Sequence, residues 1–560
     1  KFIPLNSKRT YKKHSAVINV ITLNFIKNFN FKKYPGNNYL DFLIGNIFYK
    51  KAIRIVSQYI FIKELNLKDP EIYFNKSRVS SHIAKNYHFK KLNYYRAFGA
   101  LDSKDYFNEH NEEKILFFRS IKNIFKMLGL LLLSLKNSLP EELKFKPLFF
   151  IHPIENSFLK IVSKKLKETN HSYLIFDTAY KIKYNNKKYD IRCLNIFDIF
   201  SVFKESNKLL SDLKSSNFLN FQDKILIIRE CFNIFYIDNF IKKMRPPLFY
   251  SKYESTKCIL FQDIAKNYNC VTMASTFSFG YFPQKYEGGH QAKFCDIFFV
   301  WGKKHSDLIL NSNDKSRHHI ISGYEQERHI LKKKHTNYKK LICFCDNTFA
   351  NDLYLNKREV FRTLKFCIKF AQVNNYKIVI KTKKYKDVYK NIMNNNSSII
   401  IEIDDNLGSI QQYHKNTIFI GYSLYTLGIQ ALKQKNIALF FDQHGLIWDE
   451  ISLILKDYIF KNENEFLFKM KNISKLNPSE NIELITKIID CDDCDSNKKI
   501  ADYIVSYLNN FDTSKNKAIE KTNKIYIKKW GDIKIIFNNN HLNSLNNNPL
   551  IKHMNSVFLE

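Results

Sequence analysis

The chain has 560 residues, of which 45% are hydrophobic and 15% aromatic, and it carries 89 Lys and Arg against 53 Asp and Glu, a formal net charge of +36. This composition can fill a large core, so it excludes a disordered or fibrous protein. No apolar run reaches the roughly 18 residues of a membrane-spanning helix, and none is predicted.

The basic residues and the cysteines indicate which partners and which compartment to expect. Lys is scattered, and zinc fingers, RNP-type aromatic motifs and basic regions joined to heptads are absent from the sequence, so no nucleic-acid partner is expected. The positive charge leaves three interpretations open: a solvated basic surface that only aids solubility, a phosphate-bearing substrate, or peripheral contact with the anionic inner membrane face. The 10 Cys are irregularly spaced, and the one CxxC, Cys491 to Cys494, has no second pair. These features favour a reducing cytoplasm, and no metal site is predicted.

Residues 1–145 are predicted to be a mainly helical region, in which no chemical motif stands out. The clearest helix is predicted over 115–138 and stops before Pro140, because proline does not continue a helix. Within it, the apolar run 128–135 is too short to span a membrane and is typical of a core helix.

From 146 to 325, short apolar runs alternate with helical patterns, which predicts a first Rossmann-like domain built on a parallel sheet. Its predicted helix covers 157–168, and its predicted strands are 148–151, 173–176, 224–228, 258–261, 271–274, 297–301 and 320–321. Residues 325–339 are predicted to be a linker.

The pattern repeats over 338–510 and predicts a second Rossmann-like domain, followed by a C-terminal extension over 511–560. Five strands are predicted, at 341–345, 376–380, 399–403, 417–420 and 437–441. The helices between them are predicted at 357–373, 387–393, 409–414 and 425–434.

The strand ends of this second domain should open on one edge, because parallel strands all end on the same side of a sheet. The most informative turn there is Gly421-Tyr422-Ser423. We expect glycine to permit a tight turn and the Ser423 hydroxyl to cap a helix whose first amides bind phosphate. Lys381 and Lys383, at a neighbouring strand end, could add positive charge to the same anion.

The same turn also excludes two classes of ligand site. It is neither GxGxxG nor a Walker A loop, so neither a nicotinamide cofactor nor ATP hydrolysis is expected.

Segment 421–442, GYSLYTLGIQALKQKNIALFFD, resembles the donor-binding segment of GT-B glycosyltransferases. The similarity is greatest to enzymes of capsule and surface-polysaccharide synthesis and to the related CDP-glycerol glycerophosphotransferases. Segments 376–381 (YKIVIK), 297–302 (IFFVWG) and 320–324 (IISGY) are similar to further parts of this family. The resemblance implies a GT-B-like fold, with two Rossmann-like domains facing across a cleft.

The resemblance also implies an activity, the transfer of a sugar from a nucleotide-sugar donor to a surface polysaccharide or lipid-linked glycan acceptor. It places the donor against Gly421, Ser423, Thr426, Gln430, Asp442 and His444, together with the two lysines. Helix amides and basic side chains can stabilise the leaving diphosphate, so we expect neither a metal nor another cofactor. The base that takes the proton of the acceptor is expected from the first domain, and the candidates are His152, Glu155 and His290.

Two departures from the family pattern keep alternatives open. Gln430 stands where family members often carry an acid, and Thr382-Lys383 stands where the family has a histidine-containing segment. The alternatives are a CDP-glycerol-type glycerophosphotransferase, a non-catalytic carbohydrate- or nucleotide-binding relative, and a nucleotide-sugar epimerase.

Overall fold

The computed structural model describes part of the chain. The described residues are 36–37, 39–41, 43–45, 72–73, 92–93, 124–125, 127–150, 156–176, 180–212, 221–251, 256–275, 295–303, 305–306, 318–323, 338–346, 357–382, 386–404, 413–414, 416–443, 447, 449–477, 480–489, 496–511, 514–531 and 533–535. The predicted helical region 1–145 and the predicted linker 325–339 therefore lie mostly outside the description, as do Cys491 and Cys494.

The strands are short and mostly buried. In chain order they are β1 (Ile72–Tyr73), β2 (Leu92–Asn93), β3 (Leu148–Phe150), β4 (Leu174–Phe176), β5 (Lys181–Tyr184), β6 (Lys187–Asp190), β7 (Leu248–Ser251), β8 (Val271–Ser275), β9 (Ile297–Val300), β10 (His318–Ile321), β11 (Leu341–Cys345), β12 (Lys377–Lys381), β13 (Ile400–Asp404), β14 (Ile418–Tyr422), β15 (Ile437–Phe441), β16 (Ile459–Phe460) and β17 (Ile533–Ile535).

Helices cover both sheets. They are α1 (124–136), α2 (Asn156–Glu168), α3 (Ile196–Asp212), α4 (Phe221–Met244), α5 (Thr256–Ala265), α6 (Lys357–Asn374), α7 (Lys386–Asn394), α8 (Thr426–Lys433), α9 (Asp449–Ile454), α10 (Glu463–Lys471), α11 (Glu480–Ile489), α12 (Ser496–Asn509) and α13 (Lys515–Trp530). None of the described helices is long and apolar enough to cross a membrane.

The first sheet has nine strands in the order β17-β10-β9-β8-β7-β3-β4-β5-β6. The strands from β10 to β4 are parallel, while β5 and β6 form an antiparallel hairpin at one edge and β17 pairs antiparallel at the other. The predicted parallel sheet is confirmed, but the hairpin, β7 and α3 were not predicted.

Two of the predicted strands are wrong. Residues 224–228 lie within α4, which runs for 24 residues, and residues 258–261 lie within α5. Both are short apolar runs, and periodicity alone does not separate a buried strand from a segment of a buried helix.

The second sheet has six parallel strands in the order β13-β12-β11-β14-β15-β16. The chain winds from β11 to β13 on one side and then crosses to β14 on the other side of β11. The topological switch point, where open α/β sheets bind ligands, therefore lies between β11 and β14. The predicted α/β fold with two Rossmann-like sheets is confirmed, while the predicted helix at 409–414 lies mostly outside the described residues.

The C-terminal helices belong to the first sheet, which differs from the predicted boundary at 510. Tyr503 of α12 and Ile519 of α13 lie in one buried cluster with Phe149 of β3 and Phe158 of α2. Lys165 of α2 also forms an ion pair with Asp502. Residues 496–509 therefore pack with the first domain, although they were predicted to belong to the second. The described part of the predicted C-terminal extension packs with the first domain as well.

Candidate functional site

Polar residues end or directly follow five of the six strands of the second sheet, at their carboxyl ends. In spatial order these residues are Asp404, Lys381 with Thr382, Asp346, Ser423 and Asp442, and all are at most 8% exposed. Asp346 and Ser423 lie on the two sides of the switch point. An edge this rich in buried polar groups is the candidate ligand site of the domain.

Ser423 has two unusual features for a buried residue. Its backbone is left-handed, with φ of 54°, and its amide donates to the Phe441 carbonyl at 2.7 Å. Its side chain is 1% exposed, and its hydroxyl has no hydrogen-bond partner among the described residues. A left-handed non-glycine residue costs about 1–3 kcal/mol, and such strain is concentrated at functional sites.

The prediction that Ser423 caps the following helix is wrong. Helix α8 begins at Thr426, its cap residue is Tyr425 in an extended conformation, and no side chain caps it. The Gly428 and Ile429 amides bond back to the Tyr425 carbonyl, at 3.0 and 3.2 Å. The helix start thus remains uncapped by side chains next to the switch point, as an anion-binding start would require.

Gly421 is needed for packing rather than for a turn. Its φ lies outside the left-handed region, unlike that of Ser423 two residues later. A Cβ atom placed on Gly421 would lie 2.7 Å from two ring carbons of Tyr425, and one on Gly428 would lie 2.7 Å from rings of Tyr425 and Phe440. The two glycines therefore make room for the Tyr425 ring, which holds α8 against β14.

Lys381 is engaged away from Ser423. Its Nζ lies 2.9 Å from Oδ2 of Asp404 on β13, which also accepts the hydroxyl of Tyr413 at 2.9 Å. Strand β11 separates β12 from β14, so the backbones of Lys381 and Ser423 are roughly 10 Å apart. In this structure the Lys381 ammonium is thus paired with Asp404, and the joint contact of Ser423 and Lys381 with one diphosphate stays a prediction.

Asp346 is a site residue that sequence reasoning did not select. It follows β11, the strand at the switch point, and its Oδ2 accepts the Thr382 hydroxyl at 2.9 Å. Burial raises the pKa of this carboxyl to about 6, and the hydrogen bond from Thr382 lowers it in part. A carboxylate that titrates near neutrality in a ligand crevice is a candidate acid–base or hydroxyl-binding group. Its position after the central strand was the available signal.

The other predicted donor-side residues lie around the same turn. Thr426 is the first residue of α8, and Gln430 is half-buried one turn further on. Asp442 is 2% exposed, and its Oδ2 accepts the Ile447 amide at 3.1 Å, which closes the loop after β15.

The remaining predicted site residues lie outside the described residues. They are His152, Glu155, His290, Lys383 and His444. Their proposed roles therefore stay predictions.

The two domains share a buried apolar cluster near this turn. It contains Val300 and Trp301 of the first domain together with Cys345, Leu424 and Tyr425 of the second. The cluster thus connects the first domain with the neighbourhood of Ser423.

No family model and no curated protein matches the chain. Among solved structures, the S. aureus MnaA–UDP co-structure is similar at 10% identity and a TM-score of 0.38, over 65% of this chain and 97% of that chain. The Neisseria meningitidis UDP-GlcNAc 2-epimerase bound to UDP-GlcNAc is similar at 11% identity and a TM-score of 0.37, over 64% of this chain and 98% of that chain. Trehalose-6-phosphate synthase OtsA is similar at 9% identity and a TM-score of 0.37, over 65% of this chain and 99% of that chain. Similarity at this level concerns the fold alone, and no ligand or residue role is carried over from these proteins.

Proposed function

We propose that the chain is a glycosyltransferase that binds a nucleotide-sugar at the switch point of the second sheet and transfers the sugar to a glycan or lipid-linked acceptor. The observation that carries this proposal is the buried hydroxyl of Ser423, which has no partner among the described residues. An unsatisfied buried polar group costs about 1–3 kcal/mol. A ligand oxygen or hydroxyl bound there would recover that cost.

The charges along the edge divide the donor between two subsites. Asp346 would repel a diphosphate when ionised, so we assign it to a sugar or ribose hydroxyl, which donates a hydrogen bond to the carboxylate. The uncapped start of α8, at Thr426, carries the partial positive charge that favours phosphate. Lys381 neutralises Asp404 and holds this edge in place rather than contacting the donor.

In the proposed reaction the acceptor hydroxyl attacks the anomeric carbon, the bond to the diphosphate breaks, and the proton passes to a base of the first domain. His152, Glu155 and His290 are the proposed bases. Gln430, Asp442, His444 and Lys383 remain proposed donor contacts.

Calorimetric titration with UDP-, GDP-, CDP- and CMP-linked donors tests the binding step. Ser423→Ala is expected to weaken donor binding about 5- to 150-fold, the equivalent of the 1–3 kcal/mol of a hydrogen bond to a phosphate or hydroxyl. Thr417→Val is the matched control, because Thr417 carries another buried hydroxyl without a described partner, at the opposite end of the same strand. This control should leave donor binding unchanged.

Product analysis separates the remaining alternatives. Donor binding without turnover would favour a non-catalytic relative, and donor conversion without an acceptor would favour an epimerase. A product heavier by glycerol phosphate would identify the phosphotransferase. If no donor binds to the folded protein, the proposal is rejected.

A further inference from the structure

Helix α1 exposes an apolar face. Its sequence run 128–135 was predicted to form a core helix, and this is wrong, since only Leu131 and Ser134 within it are buried. An exposed apolar stripe adjoins these two residues on the helix surface. It follows the spacing i, i+3, i+7, i+10 and carries Phe125 (70% exposed), Leu128, Leu132 (67% exposed) and Leu135.

Helix α3 has a similar second apolar face. Val202 and Leu209 face the core, whereas Phe197 is 78% exposed and Phe200 is 68% exposed. The end of α1 lies beside the start of α3, because the Leu194 amide donates to the Ser134 carbonyl at 3.3 Å and the Asn137 side chain donates to the Arg192 carbonyl at 3.0 Å. The two helices that carry the apolar faces therefore meet where α1 ends and α3 begins. Exposed apolar surface of this kind marks an interaction site.

Basic residues border this region. A cavity of about 560 Å³ directly after α1 is lined by Lys144, Lys242, Lys243 and Arg245, with Glu141 as its acidic member. Glu141 forms an ion pair with Lys144. The last turn of α4 supplies Lys242 and Lys243, and Arg245 follows the helix. This end of α4 is joined to the start of α3 by a 3.1 Å hydrogen bond from Asn239 to Asp198.

The backbone also presents an aromatic ring at the rim of the cavity. Phe145 is left-handed, with φ of 57°, and its side chain is 64% exposed. Its amide donates to the Met244 carbonyl at 2.8 Å, and the next residue, Arg245, is left-handed as well. A left-handed conformation is unfavourable for a bulky residue, and here it holds an aromatic side chain in solvent at the cavity that Arg245 also lines.

From this combination we infer that α1, α3 and the basic cavity form a docking surface for an anionic phospholipid bilayer. Apolar side chains from two helices can enter the acyl boundary, and the cations can meet phosphate headgroups. The charge complementarity decides the occupant, because an ordinary protein interface is depleted in lysine at its core. The inference does not depend on the proposed transferase activity.

Vesicle flotation with the full chain, without nucleotide, tests the inference. The protein is expected to float with phosphatidylcholine vesicles that contain about 30% phosphatidylglycerol, which gives the membrane a negative surface potential. It should remain unbound with phosphatidylcholine alone, and it should lose binding to the anionic vesicles as the salt concentration rises. Phe197→Asp/Phe200→Asp should lower the affinity about tenfold or more. Lys242→Glu/Lys243→Glu should lower it about 25-fold, since each cation near the surface contributes about fivefold.

Two control variants carry the same changes on the second domain. Phe468→Asp alters another largely exposed phenylalanine, 68% exposed on α10, and Lys461→Glu/Lys471→Glu reverses two exposed lysines there. Both should bind vesicles like the parent chain. If they lose binding as strongly as the surface variants, or if the surface variants bind normally, the inference is overturned.

Size-exclusion chromatography tests whether a second copy of the chain, rather than a membrane, binds to this surface. If the parent chain is a dimer, and Phe197→Asp/Phe200→Asp converts it to a monomer without changing vesicle binding, the surface contacts a second copy and the inference is overturned. Circular dichroism checks the fold, and the lysine variant keeps the test valid if the phenylalanine variant does not fold.

Discussion

Gly421 offers a test of whether the switch-point turn is held by packing. The Gly421→Ala change adds a single methyl group, and the structure places that carbon 2.7, 2.7 and 3.0 Å from three ring carbons of Tyr425. Ordinary van der Waals contact begins at 3.4 Å, so the ring would have to retreat by about 0.7 Å. The ring is 3% exposed and packs on Phe440 with centroids 5.2 Å apart, which leaves it little room to move.

The expected cost follows from two opposing effects. Overpacking of a buried site costs about 1–3 kcal/mol. Replacing glycine by alanine restricts the unfolded chain and returns about 0.4–1 kcal/mol. We therefore expect Gly421→Ala to destabilise the second domain by about 1–2 kcal/mol. For a unit of 150–250 residues this lowers the unfolding midpoint by about 2–8 °C.

Differential scanning calorimetry of four chains measures the effect: the parent, Gly421→Ala, Tyr425→Leu and the double variant. Because the clashing atoms all belong to Tyr425, Gly421→Ala should cost close to nothing in the Tyr425→Leu background. Gly129→Ala is the control, since no atom of the described residues lies within 4 Å of a Cβ placed on that residue of α1. It should raise or preserve the midpoint, because alanine favours a helix. An equal loss with and without the Tyr425 ring would refute the packing explanation.

Three further changes are expected to give defined results. Since burial raises the pKa of Asp346 to about 6 in the folded chain from 3.8, its neutral form stabilises the fold below pH 4 and that stabilisation is lost as the pH rises through 6. Asp346→Asn should therefore raise the free energy of unfolding at pH 7.5 by roughly 1–3 kcal/mol, which thermal unfolding measures as a higher midpoint, while it lowers the proposed transfer activity. Lys381→Met leaves the buried Asp404 without its cation and should cost about 3–5 kcal/mol in urea unfolding, most of it recovered by adding Asp404→Asn. A chain that ends at residue 510 should lower the first-domain transition in calorimetry, because α13 and β17 are lost, whereas an intact transition would show that they are dispensable.

The sequence predicts the second sheet closely, because each strand is a continuous apolar run bounded by polar loop residues. The run 341–345 coincides with β11, and 437–441 coincides with β15. The same rule fails at 224–228 and 258–261, where the apolar runs belong to helices that are buried over most of their surface. Only the length of an apolar run and its flanking residues distinguish a buried strand from a segment of a buried helix. The runs 224–228 and 258–261 are as short as strands, so their length does not identify them as helical.

The site was predictable as an edge but not as a set of contacts. Parallel strands place their ends together, so the grouping of Lys381, Ser423 and Asp442 follows from their positions after strands. The partner of Lys381 depends on strand order, which puts Asp404 on one side of it and β11 between it and Ser423. The left-handed turn at Ser423 could not be predicted, since Gly421 nearby is the residue that ordinarily takes such a conformation.

The pairing of Lys381 with Asp404 and the left-handed turn at Ser423 change which part of a donor the carboxyl edge of the second sheet could recognise. With Lys381 paired to Asp404, the described edge retains the carboxyl groups of Asp346 and Asp442, so it presents acceptors more than cations. Carboxylates bind hydroxyl groups well and diphosphates poorly. A donor bound here would therefore place its sugar or ribose hydroxyls against Asp346, and its phosphates against the amides that begin α8. On this reasoning Asp346→Asn should weaken the binding of a nucleotide-sugar more than that of inorganic pyrophosphate, and titration of the two ligands against both chains measures the difference. Equal losses for the two ligands would place the phosphates at Asp346 and contradict the assignment.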